Sequence, residues 1–301
     1  MRLVSRSDFD GLACAAILSH LGLIDDWKFV HPKDIQDGLV EITDNDILAN
    51  VPYHKGCKLW FDHHSSESER LGKNTFFEGV SRHTPSCARL IYEYYGGEDK
   101  LGRFEMMVSH VDRVDSGKLT RDEVYNPRGW ILLGFIMDPR TGLGRFRDFT
   151  VSNYDLMKML AKACEEKDID EILAIPDVKE RLNLYFEHAP FFQKMLLEKG
   201  QVHGNTVLFD LRNTDPIYAG NRFLMYRLFP DQNMSMWVVN GKNNQNCVIT
   251  VGYSIFNKSA TVDVGSLMLS YGGGGHHQVG TCQVPLSDAD KVIKEILDKC
   301  K

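Results

Sequence analysis

Short apolar runs and amphipathic stretches alternate along the first half of the chain. A short apolar run that ends in polar residues indicates a buried strand, whereas apolar residues three or four apart indicate a helix. Strands are predicted at 2–5, 28–30, 45–48 and 57–61, and helices at 12–21, 84–95 and 101–111. Thr84 is predicted to cap the second of these helices, with Pro85 at its first position. This order favours an open α/β sheet.

The second half shows the same patterns in a different order. Strands are predicted at 208–211, 234–240, 247–255 and 281–284, and helices at 153–167, 178–197, 221–228, 262–270 and 287–300. A polar stretch with two glycines at 199–204 separates a long helical pattern from the strands that follow. We therefore place a first domain at 1–190 and a second at 200–301.

Polar side chains suited to chemistry follow two of the predicted strands. Asp62, His63 and His64 come directly after one apolar run, and Asp8 and Asp10 come after another. Functional residues in open α/β sheets lie just past the carboxyl ends of strands, and this set suits a divalent cation such as Mn²⁺. The alternatives are a polar loop for the Asp-His-His run, and helix capping for the first two carboxylates.

Further carboxylates stand beside other predicted elements. Asp44 and Asp46 lie at the edge of the strand predicted at 45–48, and either could be a ligand or a solvated surface residue. Asp112 and Asp115 end the helical stretch that begins near residue 101. Asp112 has a second interpretation, an ion pair or a turn cap, while the Asp-Ser-Gly context favours Asp115 as the functional residue.

Composition narrows the classes of partner. The 301 residues carry a formal net charge of −6, which disfavours long nucleic acid as a partner. The seven cysteines form no CxxC pair, so a zinc or redox protein finds no support and free thiols in a reducing cytoplasm are expected. No apolar run reaches membrane-spanning length and no signal peptide is recognisable, so we predict a cytoplasmic protein without a membrane partner.

The order of these motifs resembles that of a known family. The four motifs of the DHH phosphoesterase superfamily are matched by Asp8-Phe9-Asp10-Gly11, Asp46, Asp62-His63-His64 and Asp115-Ser116-Gly117. The run Tyr271-Gly272-Gly273-Gly274-Gly275-His276-His277 resembles the glycine-rich signature of the domain that accompanies the DHH domain. The resemblance covers nearly the whole chain. Within the superfamily, the chain resembles the nanoRNA-phosphodiesterase and exopolyphosphatase-like branch.

The resemblance implies a fold and a metal centre. The fold is α/β with two domains, an N-terminal parallel-sheet domain and a smaller C-terminal mixed-sheet domain, with a cleft between them. Two Mn²⁺ ions, or Mg²⁺ or Co²⁺, would be held near the sheet. In this scheme Asp46 bridges the ions, Asp8 serves the first, and Asp10, His63 and Asp115 serve the second, with Asp112 as the alternative to Asp115.

The same resemblance implies roles for the remaining candidates. His64 would stabilise charge or donate a proton to the leaving group, and Asp62 would orient an imidazole. The expected substrate-binding residues are Gly273, Gly274, Gly275, His276, Lys258, Arg222 and Arg6. Family members often carry a His as a ligand of the first metal two or four residues before the first motif Asp, where this chain has Arg6 and Val4. Arg6 would instead contact a substrate phosphate or lie on the surface.

The implied substrate is a small nucleotidic phosphoester: a short oligonucleotide, a dinucleotide or 3′-phosphoadenosine 5′-phosphate. One alternative is an exopolyphosphatase acting on polyphosphate. Another is a non-catalytic nucleotide sensor that lost its first metal with the change to Arg6. A homodimer is compatible with the family, and long duplex nucleic acid is not an expected partner.

Overall fold

The computed structural model describes residues 1–64, 67, 70, 71 and 75–301. The chain divides into two compact units, Met1–Glu187 and His188–Lys301, and each contains one sheet. The prediction of an α/β fold with a parallel N-terminal sheet and a mixed C-terminal sheet is confirmed. None of the described helices is long and apolar enough to cross a membrane.

The sheet of the first unit has five parallel strands. Along the chain the strands are β1 (Arg2–Arg6), β2 (Asp26–Val30), β3 (Asp46–Ala49), β4 (Leu59–Asp62) and β5 (Gly79–Ser81). Their order in the sheet is β2-β1-β3-β4-β5, and every neighbouring pair is parallel. All carboxyl ends therefore lie along one edge of the sheet.

Ten α-helices begin within the described part of the first unit, and the last of them extends past Glu187. They are α1 (Phe9–His20), α2 (Pro32–Gln36), α3 (Cys87–Tyr94), α4 (Gly97–Leu101), α5 (Glu105–Asp115), α6 (Arg121–Tyr125), α7 (Gly129–Met137), α8 (Asn153–Glu166), α9 (Ile169–Ala174) and α10 (Pro176–Lys199). The sequence pattern did not predict α7. Trp130 through Met137 are all buried in that helix, so it has no polar face to produce a helical period.

The second unit contains a six-stranded mixed sheet. Its strands are β6 (Gly200–His203), β7 (Thr206–Asp210), β8 (Met234–Asn240), β9 (Cys247–Tyr253), β10 (Gly274–His276) and β11 (Val279–Val284). They lie in the order β10-β11-β9-β8-β7-β6, and only β7 and β8 are a parallel pair. Three helices accompany them, α11 (Met225–Leu228), α12 (Val264–Leu269) and α13 (Ala289–Lys299).

The core of the second unit lies between one face of its sheet and the helices α12 and α13. Met236, Ile249 and Val251 on the strands are fully buried, as are Met268 of α12 and Ile296 of α13. Inward-facing residues alternate along the strands, as the period of two requires. The predicted strand 234–240 matches β8 at both ends.

Candidate active site

The candidate site residues of the first unit lie at the carboxyl edge of the parallel sheet. Asp8 and Asp10 follow β1, His63 follows β4, and Asp115 is the last residue of α5. Gly11 permits the tight turn from β1 into α1, since a Cβ atom there would lie 1.9 Å from the carbonyl oxygen of Arg6. The close approach of helix and strand places both motif carboxylates at this edge.

Asp10, His63 and Asp115 form a compact group. The Nε2 atom of His63 lies 3.4 Å from Oδ2 of Asp115 and 3.6 Å from Oδ2 of Asp10. One ligand atom from each residue lies within 4.8 Å of the others. The three side chains come from separate elements, so only the packed fold brings them together.

The amino end of α3 holds Asp10 in place. The backbone N–H of Cys87 donates to Oδ2 of Asp10 at 2.9 Å, and that of Ala88 donates to Oδ1 at 2.7 Å. The cap of this helix is Ser86, whose hydroxyl accepts from the N–H of Arg89 at 3.0 Å. The prediction of Thr84 as the cap is wrong, because the Thr84 hydroxyl donates instead to the carbonyl of Ser86.

A backbone carbonyl sets the orientation of His63. Nδ1 of this ring lies 3.1 Å from the carbonyl oxygen of Thr84, which only accepts, so Nδ1 carries the proton. In the neutral ring, Nε2 then presents its lone pair toward the carboxylates. Burial lowers the pKa of His63, but Asp115 and Asp10 outweigh it and raise the pKa above its ordinary value.

These three residues fit a divalent cation. Burial raises the pKa of Asp10 well above its ordinary value, although His63 opposes the shift, so the site strongly favours a compensating positive charge. One imidazole nitrogen and two carboxylate oxygens suit Mn²⁺, and the second nitrogen of the ring is fixed by a carbonyl, as in many metal sites. The ligand types and the buried negative charge both favour the binding of a divalent cation.

Asp62 and His64 form a second pair beside this group. The Nδ1–H of His64 donates to Oδ1 of Asp62 at 2.9 Å, and the backbone N–H of His64 donates to Oδ2 at 3.1 Å. Burial raises the pKa of Asp62 to about 7 and lowers that of His64 well below its ordinary value. At neutral pH the His64 ring is therefore uncharged, and Nε2 carries its lone pair.

Asp8 has different surroundings from Asp10. Its Oδ2 forms an ion pair with Nε of Arg6 at 3.0 Å. Its Oδ1 accepts from the backbone N–H of Gly11 at 2.9 Å and from Nδ2 of Asn50 at 3.1 Å. Burial raises the pKa of Asp8, while Arg6 opposes this shift. The carboxylate is thus held by N–H donors on both oxygens.

The structure places Asp46 at the wrong edge of the sheet for metal binding. Asp46 begins β3 and pairs in register with Arg2, the first residue of β1. A strand rises about 3.3 Å per residue, so the carboxyl edge lies roughly 13 Å away. The expectation that Asp46 bridges two metal ions is therefore corrected. Asn50 follows the carboxyl end of β3 instead.

Asp112 and Asp115 are separated by one turn of α5 and have different neighbours. Oδ1 of Asp112 accepts from the hydroxyl of Ser86 at 2.7 Å, and Oδ2 accepts from Nε of Arg89 at 2.8 Å. Asp112 therefore supports the cap of α3, whereas Asp115 faces His63. Of the two alternatives left by the sequence, the geometry favours Asp115 as the ligand.

A known phosphodiesterase is similar to this chain in both sequence and fold. No family model and no curated protein matches the chain. Among solved structures, the pGpG-specific phosphodiesterase PggH from Vibrio cholerae is 46% identical, with a TM-score of 0.76 over 99% of this chain and 98% of that one. This chain belongs to the DHH phosphoesterase superfamily. The expectation of a phosphoester hydrolase is confirmed.

Other solved structures resemble this DHH enzyme more distantly. An exopolyphosphatase-related protein from Bacteroides fragilis is 13% identical, with a TM-score of 0.49 over 99% of this chain and 91% of that one. RecJ from Thermus thermophilus, in complex with Mn²⁺, is 12% identical, with a TM-score of 0.48 over 99% of this chain and 52% of that one.

The glycine run of the DHH enzyme has a packing role in the second unit. A Cβ atom at Gly273 would lie 2.0 Å from the carbonyl oxygen of Thr281, and one at Gly275 would lie 2.2 Å from that of Val279. These glycines allow the β10–β11 hairpin to pack closely. Their predicted contact with substrate, and that of Gly274, stays a prediction.

The other predicted substrate-binding residues lie at two strand ends, in a loop and in a 3₁₀ turn. His276 ends β10, and Lys258 is exposed in the loop after β9. Arg222 begins a short 3₁₀ turn, with its guanidinium carbon 4.1 Å from the centre of the Phe223 ring. Arg6 ends β1 and pairs with Asp8. A role for these residues in binding substrate stays a prediction.

Sequence reasoning missed three residues of the DHH site. Asp138 and Arg140 line the same small cavity as Asp8, Asp10 and Asp115. The Nε atom of Arg140 donates to Oδ1 of Asp138 at 2.8 Å. The third residue is Asn50. Its position between the end of a predicted strand and Val51-Pro52 could have indicated it from the sequence. Asp138 and Arg140 follow a helix that the pattern did not predict, so their position could not be anticipated.

Proposed function

We propose that this enzyme hydrolyses the phosphodiester bond of a short 5′-phosphorylated dinucleotide such as pGpG, with a divalent metal ion at Asp10, His63 and Asp115. The observation that carries the proposal is the 46% identity to a pGpG-specific phosphodiesterase over nearly the whole of both chains. The compact Asp10–His63–Asp115 group supports the metal dependence. Mn²⁺, Mg²⁺ and Co²⁺ all suit its ligands.

The chain's own residues divide the chemistry between them. A divalent ion at this group would polarise the scissile phosphoryl group and neutralise developing charge. Because Nδ1–H of His64 donates to Asp62, Nε2 is the ring nitrogen that accepts a proton from the attacking water. As the new P–O bond forms and the bond to the ribose oxygen breaks, the protonated ring donates a proton to that leaving oxygen. Asp62 holds the Nδ1–H of His64 throughout.

The order of proton transfers differs from the simplest expectation for His64. A ring that starts without a positive charge accepts a proton before it donates one. The carboxylate of Asp62 stabilises the charged ring that forms, in the manner of an Asp–His pair in other hydrolases. His64 therefore serves as base and then as acid within one turnover.

Substrate comparison tests the proposal directly. Purified protein, stripped with EDTA and reloaded with Mn²⁺, is incubated with pGpG, pApA, 3′-phosphoadenosine 5′-phosphate and polyphosphate, and products are separated by chromatography. We expect pGpG to yield two GMP molecules, with no product before Mn²⁺ is restored. The Asp10→Asn variant should be inactive, and Asp44→Asn, at an exposed position, should match the wild type.

Three other outcomes would contradict the proposal, and a fourth would define its substrate range. Turnover of polyphosphate alone would establish the exopolyphosphatase alternative. Turnover of 3′-phosphoadenosine 5′-phosphate alone would identify a monophosphatase. Binding of pGpG without turnover under any metal would establish the sensor alternative. Equal turnover of pGpG and pApA would agree with the proposed dinucleotide class and show that the enzyme does not select guanine.

A further inference from the structure

Asp8 lies beside the Asp10–His63–Asp115 group but is enclosed by N–H donors. The Arg6 guanidinium occupies Oδ2 at 3.0 Å, while Gly11 and Asn50 donate to Oδ1. Within the described residues, no group of three His, Cys, Asp or Glu ligands lying within 4.8 Å of one another includes Asp8. The first motif carboxylate is therefore paired with a charged guanidinium, whereas Asp10 accepts from backbone N–H groups and lies beside the His63 imidazole.

The residue that lies next to Asp8 at the carboxyl end of β3 is an amide and not a carboxylate. Asn50 follows β3 at the carboxyl edge, and its Nδ2 lies 3.1 Å from Oδ1 of Asp8. Because a carboxylate only accepts, the Asn50 amide must turn its NH₂ group toward Asp8. An N–H group that faces Asp8 cannot serve as a metal ligand, and it occupies one of the two Asp8 oxygens. Asp46, the other candidate bridge, lies at the opposite edge.

The charges around the cavity balance one divalent cation. The charged residues that line it are four carboxylates and one guanidinium: Asp8, Asp10, Asp115, Asp138 and Arg140. Arg6 adds a second guanidinium through its ion pair with Asp8. Four carboxylates and two guanidinium groups leave a formal charge of −2. One divalent ion neutralises this charge, whereas two would leave an excess of +2 in a buried site, which is costly.

We propose that this enzyme uses a single divalent ion, and that the Arg6 guanidinium takes the place of the second cation found in two-metal phosphoesterases. The inference takes its substrate from the proposed function. The expected number of bound ions can be measured without an activity assay. Arg6 is fixed by Asp8 and presents its remaining N–H groups for a phosphoryl oxygen, for which a planar guanidinium is well suited.

Metal stoichiometry tests the first part of the proposal. Protein reloaded with Mn²⁺ is separated from free ion, the bound metal is measured by elemental analysis, and the Mn²⁺ spectrum is recorded by electron paramagnetic resonance. We expect one Mn²⁺ per chain and the spectrum of an isolated ion. Asp8→Asn should keep that ion, whereas Asp10→Asn should lose it. Two ions per chain with an exchange-coupled spectrum would overturn the proposal, as would loss of the ion in a folded Asp8→Asn variant.

The role of Arg6 has its own test. Arg6→Ala should lower kcat on pGpG by roughly 100-fold, the scale seen when one donor to a developing oxyanion is removed. Added guanidinium ion, below denaturing concentration, should restore part of the rate, whereas added ammonium should restore less. A folded Arg6→Ala variant with normal kcat would overturn the substitution of Arg6 for a cation, as would a slow variant that guanidinium does not rescue.

Failure of this inference can be told apart from failure of the proposed function. The same samples are assayed on pGpG. Two bound ions with intact hydrolysis would overturn the single-ion inference and leave the proposed function standing. Absence of any bound ion together with absence of hydrolysis would overturn both.

Discussion

The two edges of the parallel sheet treat buried carboxylates in opposite ways. At the amino edge, Arg2 binds both oxygens of Asp46, with Nε–Oδ1 at 2.7 Å and Nη2–Oδ2 at 2.9 Å. The backbone N–H of Thr43 adds a third donor at 2.7 Å. At the carboxyl edge, Asp10 and Asp115 instead share one imidazole, that of His63.

The pKa shifts record this difference. Burial favours a raised pKa for both Asp46 and Asp10. For Asp46 the hydrogen bonds from Arg2 and Thr43 outweigh burial and lower the pKa below its ordinary value. For Asp10 burial dominates and raises it. A carboxylate paired with a guanidinium stabilises the fold by itself, whereas two neighbouring carboxylates that share one imidazole favour an additional positive charge, which a metal ion supplies.

The largest expected effect comes from removing the imidazole at the carboxyl edge. His63→Ala should abolish tight Mn²⁺ binding and lower kcat on pGpG by roughly 1,000-fold, or about 4 kcal/mol of transition-state stabilisation. Isothermal titration with Mn²⁺ and steady-state kinetics measure both. His83→Ala, at an exposed position, is the matched control and should resemble the wild type. Unchanged Mn²⁺ affinity in His63→Ala would contradict the assigned ligand.

A smaller effect is expected at the neighbouring pair. His64→Ala should lower kcat by about 100-fold, because general acid–base catalysis contributes on this scale. Mn²⁺ affinity should change little, since His64 is assigned to proton transfer. Titration and kinetics on the same preparation separate the two properties. A joint loss of kcat and Mn²⁺ affinity would show that His64 is a ligand and would remove its assigned role as base.

The amino edge should respond in stability and not in metal binding. Asp46→Asn leaves buried donors of Arg2 and Thr43 less well satisfied and should cost about 2 kcal/mol of unfolding free energy. Urea denaturation measures this loss, and Mn²⁺ titration should show wild-type affinity. Asp44→Asn, an exposed neighbour, is the control. Loss of Mn²⁺ binding in a folded Asp46→Asn variant would reinstate the bridging role.

The same variant tests a pH dependence whose sign follows from the lowered pKa of Asp46. A carboxyl group with a lower pKa in the folded than in the unfolded protein stabilises the fold above its unfolded value, about 3.9. That stability is lost as pH falls through the lower, folded value. The stability difference between wild type and Asp46→Asn should therefore be constant near neutral pH and shrink below about pH 4.

The smallest expected effect lies one turn from the metal-binding group. Asp112 holds Ser86, which caps the helix whose first N–H groups position Asp10. Asp112→Asn should weaken Mn²⁺ binding by about 10-fold or less, the lower end of effects seen for indirect ligand support. Titration of this variant beside Asp99→Asn, at an exposed helix position, measures the difference. A loss as large as in His63→Ala would show that Asp112 is itself a ligand.

The local pattern of the sequence was enough to predict most of the secondary structure, several site residues and the family of this enzyme. Apolar runs and amphipathic periods located most strands and helices. The polar residues that directly follow predicted strands indicated Asp8, Asp10, Asp62 and the two histidines as site residues. These features depend on neighbours in the chain, so they are visible without a fold. The order of the motifs was specific enough to indicate the family, and the comparison with PggH confirms it.

Only the tertiary structure decided which carboxylates meet. Asp46 stands next to a strand in the sequence, but the parallel register places it at the amino edge and gives the carboxyl edge to Asn50. The choice of Asp115 over Asp112 likewise depends on how α5 packs against the strand ends. Register and helix packing are set by contacts between residues far apart in the chain. A spacing rule cannot contain them, and the ion count at this site depends on them.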